Sequence, residues 1–237
     1  MEIVELRPNL HMLLLRFGQA YLWRDSDSLT LIDTGIAGSG ADIAQAITGL
    51  GLRTGDLRRV VLTHFHNDHA GSAAEVRRWG EVAVLAHRRD APVIRGEVPG
   101  PPPVLTDAER PLFERLASGL PPAPPAIVDQ ELEGGDVIDF GGGARVIAGP
   151  GHTDGSIALY LPQAGVLFTG DIAARVDGQL ILGPFNVDRA QARRSFRTLT
   201  QHDADVVCFG HGDPIVDSPA SPWHTAATQL SVPDPLA

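Results

Sequence analysis

The chain has 237 residues, 43% of them hydrophobic and 20% charged, which is enough apolar material for an ordinary core without disulfide or metal staples. Its one cysteine, Cys208, excludes an internal disulfide and a cysteine-rich zinc framework and fits a reducing compartment. The net charge of −10 argues against general binding to a phosphate backbone.

The N-terminal stretch MEIVELRPNLHMLLLRF has neither a positive leader nor a small-residue cleavage site, and no run reaches the roughly 18 apolar residues of a membrane span. A cytoplasmic protein is therefore expected. With no linker of disordered length, the expectation is a single domain over residues 1–237. Short strands are predicted over 2–8, 11–17, 20–25 and 28–35, each punctuated by Pro, Gly, Asn, Asp or Ser. Helix and strand then alternate: a helix over 40–51, a strand at 58–63, a helix over 70–80 and a strand at 81–87.

Residues 88–130 break this rhythm, because EVPGPPPV and GLPPAPPAIV bracket a short predicted helix at 106–118. Such a proline-rich insertion is either a surface excursion or a lid over a site. Its apolar residues, Leu112 and Phe113 among them, either line a pocket, which favours acyl-chain substrates, or pack onto the body. Strands return at 136–141, 144–151, 156–162 and 166–171, a helix follows at 188–203, and ADVVCFGHGDP supplies a last strand. The polar, proline-broken residues from about 215 to 237 read as a surface tail.

THFHNDHAG, residues 63–71, carries the chemistry. In an extended segment side chains alternate, so His64, His66 and Asp68 would share one face, and a helix beginning near Asp68 would turn His69 inward as well. Grouping imidazoles and a carboxylate this way has no folding benefit, since burying unpaired polar groups costs free energy. Four donors crowded into six consecutive residues cannot all be used by one tetrahedral ion, which suggests two ions. Imidazole and carboxylate suit zinc, with iron or manganese as alternatives. Further donors end other apolar strands beside glycines: His152 in GPGHTDGS, Asp171 in VLFTGD and His211 in GHGD. Asp33 in LIDTG reads as a supporting carboxylate that orients a histidine through its second ring nitrogen. His11, His202 and His224 read as surface residues and His87 as structural.

HxHxDH followed in order by a His, an Asp and a His resembles the metallo-β-lactamase superfamily, and the likeness runs from LIDTG to CFGHGDP, residues 31–214. The resemblance implies an α/β (α+β) fold, a four-layer αβ/βα sandwich of two mixed sheets flanked by helices. It implies His64, His66 and His152 on a first metal, Asp68, His69 and His211 on a second, and Asp171 bridging both. The arrangement is closest to the glyoxalase II and lactonase branch. Class B β-lactamases lack the bridging aspartate, and flavodiiron proteins carry glutamate at the position of His66. Glyoxalase II proper has a C-terminal helical domain, whereas only 26 residues follow His211. Some lactonases place a tyrosine soon after the bridging aspartate, and GDIAARVDG has none. The tRNA-processing endonucleases need an RNA-gripping arm that no basic run here supplies.

The function this implies is hydrolysis of an ester, thioester or lactone of a small molecule by a hydroxide shared between two metals roughly 3.5–4 Å apart, with Asp68 relaying a proton to the leaving group. The alternatives on the same fold are a mononuclear iron dioxygenase acting on persulfides, a phosphodiesterase, and a binding module with a purely structural metal. Substrate and oligomeric state are not written in the sequence.

Overall fold

The computed structural model describes residues 2–216 and Trp223. The chain divides into two compact units: one holds the described residues up to Gly100 with Pro121–Glu133 and Asp139–Gly141, the other holds Pro101–Leu120, Gly134–Ile138 and the described residues from Gly142 onward. Because the chain passes between units repeatedly, no single linker marks the division.

In the first unit, β1 (Glu2–Arg7), β2 (Leu10–Leu14), β3 (Gln19–Arg24) and β4 (Leu29–Ile32) form an antiparallel meander. β5 (Leu57–Val61), β6 (Ala83–His87) and β7 (Gln130–Leu132) extend it in parallel, so the seven-stranded sheet is mixed and runs in sequence order. A parallel pair needs a crossover, and α1 (Gly40–Gly49) supplies it between β4 and β5. Ile43, Ala46 and Ile47 recur at helical spacing on its buried face and join Leu31 and Val60 in the core.

The single helix predicted over 70–80 is two short ones, α2 (Asn67–Ala70) and α3 (Ala73–Val76), followed by a 3₁₀ turn at Arg77–Trp79. The break has a steric cause. Gly71 lies so close to the backbone of Ile36, Ala37 and Asn67 that any side chain there would clash. Ser72 Oγ donates to the Ile36 carbonyl at 2.7 Å and accepts from the Ser39 N–H at 2.8 Å, which pins the segment to the loop after β4. A further short helix, α4 (Ala91–Ile94), follows β6.

The second unit begins with α5 (Glu109–Leu116), inside the stretch predicted as helix. Its six-stranded sheet is built from β8 (Val137–Ile138), β9 (Ala144–Ala148), β10 (Ile157–Leu161), β11 (Val166–Phe168), β14 (Val206–Cys208) and β15 (Ile215–Val216), in the order β15-β14-β11-β10-β9-β8. β12 (Ala173–Val176) and β13 (Gln179–Leu182) form a separate hairpin. α6 (Arg189–Leu199) is capped by Asp188, whose side chain accepts from the Gln191 N–H at 2.9 Å. Ala192, Phe196 and Leu199 pack from it onto Val207 and Phe209.

Of the tail expected from about residue 215, Ile215 is 4% exposed in β15 and Trp223 is fully buried with its ring 5.9 Å from Phe196 and 6.4 Å from Phe209, while residues 217–222 and 224–237 lie outside the described residues. An apolar residue in a polar stretch finds the nearest core. His11 is buried rather than superficial, because β2 is an interior strand with neighbours on both sides. That burial lowers its pKa, against the raising influence of Glu5. The alternation expected from His64 through Asp68 stops at His66, where the backbone turns into α2. His202 is half-buried, and His224 lies outside the described residues. No helix among the described residues is long and apolar enough to cross a membrane.

Candidate metal centre

β4 and β5 are adjacent and parallel, and both carry functional residues just past their carboxyl ends, the end at which ligands bind in parallel sheets. Asp33 follows β4 in a left-handed conformation, φ +60°, that disfavours most side chains but that Asp and Asn tolerate. Its N–H bonds to the Val61 carbonyl at 3.0 Å. This locally unfavourable backbone aims a carboxylate, 3% exposed, at the turn after β5. Asp33 Oδ1 accepts from the Thr63 N–H at 2.7 Å, and Oδ2 accepts from Thr63 Oγ1 at 2.7 Å and from His69 Nδ1 at 2.8 Å.

These bonds determine ring tautomers. Thr63 gives its only hydroxyl proton to Asp33, so toward His64 Nδ1, 3.0 Å away, it can only accept. His64 and His69 therefore both carry their proton on Nδ1 and present a lone pair at Nε2. One carboxylate thus fixes two imidazoles, the second directly and the first through Thr63. The two rings are 4.0 Å apart, and His64 meets His66 edge to face at 4.7 Å. His64 Nε2 and His66 Nδ1 approach to 3.1 Å, two ring nitrogens turned toward one place. Asp68 and His69 come from α2, with Asp68 Oδ2 3.7 Å from His69 Nε2. His66 begins that helix, its carbonyl accepting from the His69 and Ala70 N–H groups at 3.0 and 2.9 Å. Asp90, nearly inaccessible, accepts from the Phe65 N–H at 3.0 Å and holds the turn between the two leading histidines.

The second unit carries a donor group of its own. His152 stands in the turn between β9 and β10, which the Thr153 and Ser156 hydroxyls close at 2.8 Å. Ser195 of α6 donates to the Pro150 carbonyl at 2.7 Å beneath the same turn. Ser156 and Ser195 are thus engaged as a turn residue and a helix-face residue. Asp171 follows β11 in a 3₁₀ turn, Gly170–Ile172. His211 follows β14, and the Gly210 N–H donates to the Gly170 carbonyl at 3.0 Å, joining the two loops. Asp171 Oδ2 lies 3.7 Å from His152 Nε2 and 3.4 Å from His211 Nε2, a carboxylate oxygen between two imidazoles. Asp171 and His152 are buried, while the His211 side chain is 32% exposed. His87, also buried, accepts from the Arg89 N–H through Nδ1 at 3.3 Å and keeps its structural reading.

Sequence reasoning missed Thr63, Asp90 and Glu109. Thr63 precedes His64 directly, but its role shows only once Asp33, thirty residues away, is placed beside it. Asp90 carries no local signal, whereas Glu109 stands three residues after Thr106, the spacing of a helix capping box, and its N–H donates to Thr106 Oγ1 at 3.2 Å while its carboxylate accepts from the Thr106 N–H at 3.0 Å.

The sequence profile of the metallo-β-lactamase superfamily matches residues 13–211. The chain belongs to the metallo-β-lactamase superfamily. Among its relatives, a probable metallo-hydrolase of Bacillus subtilis, YflN, is 28% identical over 89% of this chain and 86% of its own length. A hydroxyacylglutathione hydrolase of Rhodobacter capsulatus is 33% identical over 64% of this chain, but that stretch is only 46% of the relative. A metallo-β-lactamase family protein of Thermus thermophilus matches in structure with a TM-score of 0.70 at 25% identity, covering 95% of this chain and 79% of its own. Two mixed sheets with flanking helices are thus the fold of the superfamily, and its members are metal-dependent.

Proposed function

We propose that this chain is a metal-dependent hydrolase that cleaves an ester, thioester or lactone bond of a small molecule at a centre of two divalent ions, zinc by preference. His64, His66 and His152 would hold one ion, Asp68, His69 and His211 the other, and Asp171 would serve both. The observation that carries the reading is the Asp33–Thr63 network, which places the Nδ1 proton of His64 and His69 against protein acceptors and leaves Nε2 as the nitrogen available to a metal. The sets His64–His66–His152 and Asp68–His69–His211 match the two proposed ions, and a third, His64–His69–Asp171, joins one histidine of each to the carboxylate proposed to serve both. The donors are imidazole and carboxylate throughout. Cys208 lies buried in β14, outside those sets, and a thiolate site is not in question.

When bound, a pair of ions supplies Lewis acidity and brings the pKa of water from 15.7 to about 7. The chain's own residues do the rest. Asp33 and Thr63 keep the imidazoles from rotating or changing tautomer. Asp171 keeps a negative charge between His152 and His211. Asp68 is the carboxylate to pass a proton to the departing alkoxide or thiolate, and the burial of most donors limits access of bulk water.

The test is a substrate panel of esters, thioesters, lactones and phosphodiesters, with protein purified without a metal-binding tag and assayed before and after chelation. Hydrolysis of a carbonyl substrate is expected to fall at least about 100-fold on metal removal and to return with zinc. Activity indifferent to chelation would overturn the reading. Phosphodiester cleavage alone, or iron with oxygen uptake on a persulfide, would replace it with one of the alternatives above.

A further inference from the structure

The proline-rich insertion is fastened rather than loose where it enters the second unit. Glu109, at the start of α5, is fully buried, and its carboxylate accepts from the Thr106 N–H at 3.0 Å, Thr106 Oγ1 at 3.1 Å, the Phe185 N–H at 3.1 Å and Arg189 Nη1 at 2.8 Å. Burial alone would raise its pKa, but the bonds from Thr106, Arg189 and Phe185 prevail and hold it below the usual carboxylate range. The Val104 N–H adds a bond to the Asn186 carbonyl at 2.8 Å. The insertion is thereby clasped to the loop 183–189.

That loop runs from one proposed ligand to another. Gly183 presses on the Asp171 carbonyl so closely that no side chain fits there. At its other end the Val187 N–H donates to the His152 carbonyl at 3.2 Å and the Asp188 N–H to the Gly151 carbonyl at 2.9 Å. Phe185 sits midway with φ +64°, a conformation that costs a bulky side chain and that Glu109 holds through the Phe185 N–H. Its half-buried ring packs edge to face on half-buried Phe113 of α5 at 5.2 Å. The left-handed backbone thus fixes an aromatic ring on the loop that joins two ligand-bearing segments.

We propose that Phe185 and Phe113 form a fixed apolar wall that receives the acyl portion of the substrate, with Glu109 as the positioning residue, so that straight acyl chains longer than acetyl are preferred. This rests on the hydrolase reading above and adds a substrate class to it. The test pairs binding with turnover. Zinc-loaded protein is titrated calorimetrically with carboxylic acids from acetate to octanoate, and hydrolysis of the matching p-nitrophenyl esters is measured.

Because a fully buried methylene is worth roughly fourfold in affinity, wild-type binding should strengthen at least about tenfold from butanoate to octanoate. Phe185→Gly suits the left-handed backbone while removing the ring, and should reduce that gain to less than about threefold. Glu109→Gln keeps the side-chain shape but removes the charge, and should also reduce the gain; an unchanged gain there removes Glu109 from the account. Equal affinity for all acids in the wild type, or an undiminished gain in Phe185→Gly, overturns the wall. Metal-dependent ester hydrolysis with flat acid binding would sink the wall and leave the hydrolase reading standing. Graded acid binding, lost in Phe185→Gly, with no metal-dependent hydrolysis would do the opposite.

Discussion

Asp171→Ala is expected to lower turnover by at least about 100-fold, the upper end of what losing a mere supporting partner costs a metal site, and to reduce the metal bound per chain. Asp171 is a buried carboxylate whose Oδ2 lies within 3.7 Å of His152 Nε2 and 3.4 Å of His211 Nε2. Removing it leaves the two rings facing each other with no carboxylate between them, so in the proposed centre the residue meant to serve both ions is gone. Turnover is read from initial rates and occupancy from elemental analysis of the same sample. Full activity with unchanged metal content would take Asp171 out of the centre. Loss of activity with full occupancy would give it a part in the chemical step alone.

The second large effect belongs to a residue that touches no metal in the proposal. Asp33→Asn is expected to weaken zinc binding about 10- to 100-fold, the range for losing a partner of a liganding histidine. Asparagine tolerates the φ of +60° at this position, so the backbone need not move. An amide, however, has one acceptor atom where the carboxylate has two, so its nitrogen must face either the Thr63 N–H or the pair Thr63 Oγ1 and His69 Nδ1. Donor then meets donor in either orientation, and the network that fixes the His64 and His69 rings is weakened. Competition with a chromogenic chelator measures the affinity. An Asp33→Asn protein with wild-type zinc affinity would show that the network does not set the tautomers.

How much of this the sequence discloses depends on how local each interaction is. α1 and α6 were legible because Ile43, Ala46 and Ile47, and Ala192, Phe196 and Leu199, repeat at helical spacing within one segment. The seven candidate donors were legible because each stands at or just beyond an apolar strand beside residues that turn the chain. Asp33 was legible as a supporting carboxylate, but its conformation was not. The φ of +60° is imposed by bonds to Val61, Thr63 and His69, none of them neighbours in sequence. The break at Gly71 had the same kind of cause, since contact with the 36–37 backbone outweighs a helix-compatible sequence. His11 looked superficial because periodicity does not tell an edge strand from an interior one. The Thr106–Glu109 capping-box spacing is legible in the sequence, but only the fold brings Arg189 to Glu109, eighty residues on.

The central claim is that two ions are held together by His64, His66, Asp68, His69, His152, Asp171 and His211. Anomalous diffraction from crystals of zinc-loaded protein, collected on both sides of the zinc edge, tests it most directly. The account predicts two peaks per chain roughly 3.5–4 Å apart, with Asp171 contacting both and Asp33 contacting neither. A single peak, or peaks that leave His152, Asp171 or His211 unengaged, would contradict it.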